Sequence, residues 1–229
     1  MRKSRLARRI LVTAALLLCL STPARAGFWS LFHLADEDSF NFRFTVVLYV
    51  DGQVLRASSV HELSASTEIR TIPGTGGGLF SKGRGEALRV VIPGKPSLYF
   101  LVADGGGNVG WYSALVQDCG LNDDNRDPVA RLEQFRSFSG PCELSRKSIP
   151  MAVRLLREGD PSSMKEVVLP ETEGPDGAVR LLSATIERTT EPISAGIATH
   201  LPWLSSTELI TIATHRGPLP TNISVFVRR

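Results

Sequence analysis

Asp123, Asn125 and Asp127 stand at alternate positions, the opening D-x-[DN]-x-[DN] of a calcium loop. Alternating oxygen side chains can surround a hard cation from one turn of chain. The rest of the pattern departs from that chemistry. Pro128 stands where the loop needs glycine for its sharp turn. Position twelve is Gln134, whose amide cannot give a bidentate carboxylate, although Glu133 is adjacent. Asp127 before Pro128 also reads as a helix start, with Asp as N-cap and Pro in the first helical position. Calcium on Asp123, Asn125 and Asp127 is the one cofactor the sequence offers; otherwise none is expected.

The other reactive residue types are scattered. Gly74-Thr75-Gly76-Gly77-Gly78 with Ser81-Lys82-Gly83 is glycine-rich, but G-x-x-x-x-G-K-[ST] is not met, because no Ser or Thr follows Lys82. His33, His61, His200 and His215 share no metal-ligand spacing. Ser58-Ser59 lacks the G-x-S-x-G frame of a nucleophile elbow. A Ser–His–Asp triad assembled from distant positions is the route left to a hydrolase. Leu201-Pro202-Trp203-Leu204 is an apolar cluster. Its Trp203 either plugs the open end of a sheet core or anchors a partner, since Trp is both highly buried and enriched at interface hot spots.

The first 26 residues predict where this chemistry takes place. Arg2, Lys3, Arg5, Arg8 and Arg9 form a positive start, Ile10 to Leu20 an apolar run, and Ala24-Arg25-Ala26 a small-x-small cleavage site. The run of 11 residues is short against the roughly 20 of a membrane-spanning helix. Residues 1–26 therefore read as a secretory signal peptide, with a mature chain from Gly27 and no transmembrane span after leader removal. The leader holds six of the 26 Lys and Arg and no acid. The mature chain has 20 bases against 23 acids, a net charge of −3. No clustered positive surface is left for nucleic acid. Cys19 leaves with the leader, so Cys119 and Cys142 have one intramolecular pairing in an oxidising compartment.

The mature region, 27–229, reads as one β-rich domain, with a subdivision near 105–150. The segment from Gly27 to Leu34 is apolar and aromatic, fit to dock on the core or on a membrane or partner. In Asn41–Val50, Phe42, Phe44, Val46, Leu48 and Val50 alternate with Arg43, Thr45 and Tyr49, the period of a half-buried strand. Asp51-Gly52 predicts a two-residue hairpin turn, and Gln53–Ile69 a half-exposed, bulged return strand. Pro73–Gly85 reads as a glycine-rich loop. Glu86–Ile92 and Ser97–Ala103 read as strands joined across Pro93-Gly94-Lys95-Pro96.

Trp111–Val116 reads as a short helix. A second starts at Asp127-Pro128, with Val129, Leu132, Phe135 and Phe138 at helical spacing. Met151–Leu156, Lys165–Leu169 and Val179–Thr190 read as strands, and Thr207–Val227 as two more around Gly217-Pro218. The expected fold is mainly β, an antiparallel sheet, sandwich or open barrel with a short disulfide-bracketed helix.

Several runs carry a resemblance. In the first half of the chain they are Phe42-Arg43-Phe44-Thr45-Val46, Asp51-Gly52, Ser58-Ser59-Val60 and Arg84-Gly85-Glu86-Ala87. In the second half they are Ile186-Glu187, Glu191-Pro192-Ile193, Gly196-Ile197 and Leu201-Pro202-Trp203-Leu204. Together they resemble an uncharacterised family of exported proteobacterial proteins. The resemblance implies an exported class, with no activity and no catalytic residue to transfer. The expected function is that of a periplasmic or secreted, non-catalytic binding or envelope-associated structural protein. Its partner would be an envelope protein, peptidoglycan or a small ligand. The competing expectation is an extracytoplasmic hydrolase or metal-dependent enzyme.

Overall fold

The computed structural model describes residues 35–68, 78–102, 110–121, 127–169, 179–205 and 210–228. The leader, the Gly27–Leu34 segment, the first half of the glycine-rich stretch, and Asp123 and Asn125 lie outside these residues.

A long hairpin organises the chain. β1 (Ala35–Val50) pairs with β2 (Gln53–Glu68) in antiparallel register without interruption, from Ala35↔Glu68 to Val50↔Gln53. Asp51 at φ 49° and Gly52 at φ 83° make the turn. Both positive angles are what a two-residue turn matched to strand twist demands. The alternation in β1 is realised: Phe42, Phe44, Val46, Leu48 and Val50 are all buried. Each contributes roughly 1.5–3 kcal/mol by leaving water.

Two six-stranded sheets form, neither closed into a barrel. The first has β3 (Gly78–Glu86), β9 (Val179–Thr189), β6 (Cys142–Glu143) and β12 (Val227–Arg228) around the hairpin, in the order β12-β3-β2-β1-β9-β6. The second has β4 (Leu88–Val90), β5 (Leu98–Phe100), β7 (Ala152–Leu155), β8 (Met164–Val167), β10 (Ile210–Thr214) and β11 (Gly217–Thr221). Its order is β11-β10-β8-β7-β5-β4, antiparallel except for one parallel bridge between β8 and β10.

The inner face of the hairpin is covered in two halves. At the turn end, Leu88, Val90, Leu98 and Phe100 of the second sheet share its core, with the Phe44 and Phe100 rings 5.9 Å apart. At the other end, two helices cover it: α1 (Trp111–Asp118) and α2 (Pro128–Ser137). Trp111 stands edge-on to Phe42 and Phe44, and Phe135 packs 4.7 Å from Phe40. The strands β5 and β7 of the second sheet are buried on both faces. Tyr99, Leu101, Val153 and Leu155 face a separate cluster closed by Ile197, Leu201, Leu204, Val225 and Phe226.

Local chemistry holds the helices. The Asp127 carboxylate accepts from the Val129 N–H at 2.9 Å and caps α2, with Pro128 in the first turn. Arg136 of α2 donates to Asp36 and Asp38 of β1 at 2.9 and 3.0 Å. Arg188 of β9 donates to the carbonyls of Arg136 and Phe138, the α2 end where acceptors lack partners. Cys119, closing α1, is disulfide-bonded to Cys142 of β6 with Cα atoms 5.5 Å apart. The bridge therefore brackets α2 as expected.

Four expectations are corrected. Gly78–Glu86 is strand β3, not loop. Its Ser81, Gly83 and Gly85 face inward while Lys82 and Arg84 face out, so the charges fall on one face at period two. β2 carries no bulge against β1. The extra residue lies in β9, between Ser183 paired with Val47 and Leu181 paired with Leu48. It is Leu182, left 43% exposed. Val129 is exposed because it lies in the first turn of α2, off the Leu132–Phe135 face. The C-terminal region adds a third strand, β12, on β3 of the first sheet. Among the described residues no helix is long and apolar enough to cross a membrane.

Candidate functional site

β3 and β4 are nearly one strand that changes sheets. β3 pairs with β2 from Glu68↔Gly78 to Glu62↔Arg84. At Gly85 (φ 145°) and Ala87 the chain leaves for the second sheet, where Leu88 pairs with Phe100. Such corners are a normal device where two sheets share a core. The consequence is an uncovered edge. Beyond Glu62, β2 continues for nine residues towards the turn, from Gln53 to His61, with no described strand on that side. Among the described residues Ser194 hydrogen-bonds to it: its N–H donates to the Val60 carbonyl at 3.0 Å, and its hydroxyl accepts from the Val60 N–H at 2.8 Å.

A groove of about 440 Å³ opens at the Ser58–Ser59 part of this edge, lined by Ser58, Ser59, Arg89, Ser194, Thr199 and His200. Its far wall is the short helix α3 (Ile197–His200). Glu86 holds that wall by accepting from the Ile197 N–H at 2.7 Å. The runs containing Ser58-Ser59-Val60, Glu86-Ala87 and Gly196-Ile197 thus meet at one place.

Arg89 is fixed at the groove by three partners. It donates to the Ser97 hydroxyl at 3.1 Å and to Glu158 at 3.1 Å, and lies 3.2 Å from Nδ1 of His200. Glu158 also accepts from the Tyr99 hydroxyl at 3.3 Å, and its carbonyl accepts from the Trp203 indole at 3.0 Å. Burial pushes the Glu158 carboxyl up, but hydrogen bonds from Ser97 and Arg89, with the Arg89 charge, outweigh it and leave the group below its ordinary value. Burial, then the Glu158 charge, raises the Tyr99 phenol.

Beneath the groove Ser59 and His61 make a pair, Oγ to Nε2, at 2.7 Å. It has the contact of a nucleophile and base, but its surroundings are those of a core. His61 is 1% exposed, stacked on Phe42 and flanked by Trp111. Burial lowers its pKa from 6.5 to about 4, so it is neutral at pH 7. On the Nδ1 side, where a triad carboxylate would orient the ring, Gly85 presses against it. A Cβ on Gly85 would stand 2.4 Å from Nδ1. The acid position is filled by backbone.

The residues singled out in the sequence are dispersed. Asp127 is occupied as the α2 cap. Among the described residues no three His, Cys, Asp or Glu side chains cluster as a metal site. Trp203 is half-buried, its indole edge-on to Phe226 at 5.3 Å, closing the second cluster. His215 lies elsewhere, 2.7 Å from Glu166. Sequence reading missed Arg89 and Glu158, which are 69 residues apart. Neither stands in a spacing that a linear pattern can register. Compared with known protein families, curated proteins and solved structures, the chain has no match.

Proposed function

We propose that this chain is an exported, non-catalytic binding domain of the periplasm or the extracellular space. The observation that carries the reading is the groove at Ser58 and Ser59 of β2, where the strand edge, the Ser58 and Thr199 hydroxyls and the fixed Arg89 come together. Export is supported by the leader-like first 26 residues and by the Cys119–Cys142 bridge, which persists in oxidising compartments. The partner class is an envelope protein, peptidoglycan or a small ligand. A calcium requirement at Asp123, Asn125 and Asp127 is not part of this reading, since Asp127 already serves as a helix cap.

The second reading, a hydrolase, draws on the Ser59–His61 contact. Three features weigh against it: Ser59 is 5% exposed, His61 is held by aromatic packing, and Gly85 fills the place of the orienting acid. A fluorophosphonate probe decides between the two. Incubated with the protein recovered from a periplasmic extract, it should leave Ser59 unmodified by peptide mass analysis. Stoichiometric labelling of Ser59, or recovery of the protein only from the cytoplasm, contradicts the reading.

A further inference from the structure

We infer that the open edge of β2 receives an extended, acidic peptide segment by strand addition, the groove lying at the Ser58 end of that added strand's seat. This rests on the binding reading above and names its ligand class. In an antiparallel ladder the N–H and C=O of one residue point the same way, and neighbours point oppositely. Val60 directs both groups away from β1, to Ser194. Register with β1 is unbroken, so Val54, Arg56 and Ser58 do the same. Their backbone groups have no partner among the described residues. Ser194 already occupies the next position with one backbone and one hydroxyl hydrogen bond, so the edge accepts a backbone donor there.

Edges of this kind are ordinarily blunted by proline, by charged side chains, by a bulge or by a covering element. β11 carries two prolines, Pro218 and Pro220. The β2 edge has neither proline nor bulge. Its one charge is Arg56, exposed and without an ion pair among the described residues. That charge selects the occupant. A second copy in the register spanning the whole edge would set Arg56 against Arg56, and like charges directly opposite are unfavourable. A carboxylate opposite Arg56, between residues that suit the pleat, satisfies it. Exposed Val54 offers an apolar neighbour.

The test uses the full chain, expressed with its leader and taken as the cell processes it. The probe is the capped heptapeptide Thr-Val-Thr-Glu-Thr-Val-Thr. Amide exchange of Val54, Arg56 and Ser58 should slow by about tenfold or more at saturating probe. The effect should be lost with backbone N-methylated probe and in Ser58→Pro, which removes a donor facing away from β1. Arg56→Glu should shift preference to the version with central Lys. Thermal melts establish that both variants fold. Unchanged exchange at these three amides, or slowing at β9 or β11 instead, overturns the proposal. So does protection that rises with protein concentration alone, which would make the occupant a second copy. Ser59 labelling by fluorophosphonate would instead remove the underlying binding reading, and the exchange result would stand apart from it.

Discussion

Among individual residues, the decisive contact is that of Gly85 with His61. Gly85 combines φ 145° with no room for a side chain. Gly85→Ala must move the embedded ring or the backbone and should cost at least about 2 kcal/mol. Denaturant unfolding checks this; an unchanged midpoint would mean the imidazole does not lie against Gly85. His61 also sets a pH dependence. Its folded pKa of about 4 lies below the unfolded 6.5, so the unfolded chain binds the proton first as pH falls. Above pH 6.5 both states are neutral at this site and stability is unaffected. Between 6.5 and about 4 stability declines with falling pH, by on the order of 3 kcal/mol in all. From about pH 7 to about pH 4.5 the wild-type chain should lose about 2 kcal/mol more than His61→Gln. Equal losses in both would refute a neutral, buried His61.

Among the elements, the hairpin and the disulfide make separable contributions. A Cβ on Gly52 would touch only the Tyr49 hydroxyl, at 4.0 Å, so the cost of a side chain there is conformational. Gly52→Val should destabilise by about 1–2 kcal/mol, while Gly52→Asn, which tolerates positive φ, should be close to neutral. Equal melting temperatures for Val and Gly would reject the turn geometry. The Cys119–Cys142 bridge spans 23 residues and should contribute on the order of 3 kcal/mol by limiting the unfolded chain. Reducing the wild-type protein should lower its urea midpoint to that of Cys119→Ser with Cys142→Ser. No change on reduction would show that the bridge carries no stability.

Across the molecule, local signals were legible and long-range ones were not. The β1 alternation, Asp51-Gly52 and Asp127-Pro128 each state their structure within a few residues, because backbone sterics and one buried face decide it. β3 escaped because its inward residues are Ser81, Gly83 and Gly85, which carry no apolar signal. The smallness of Gly85 makes sense only once His61, distant in sequence, lies against it. The groove escaped for the same reason. It exists because β3 leaves β2 at Glu62 to join another sheet, a property of topology and of no single run.

The site depends on half of β2 being paired on one side only. Residue-resolved amide exchange of the unliganded protein reads that pairing at each position. Leu55 and Ala57 direct their N–H groups to β1 and should be protected, whereas Val54, Arg56 and Ser58 should exchange almost as fast as an open chain. That alternation, with Val60 protected by Ser194, is the predicted result. Equal protection of every residue from Val54 to Ser58 would show the edge covered, and would contradict the site proposed on it.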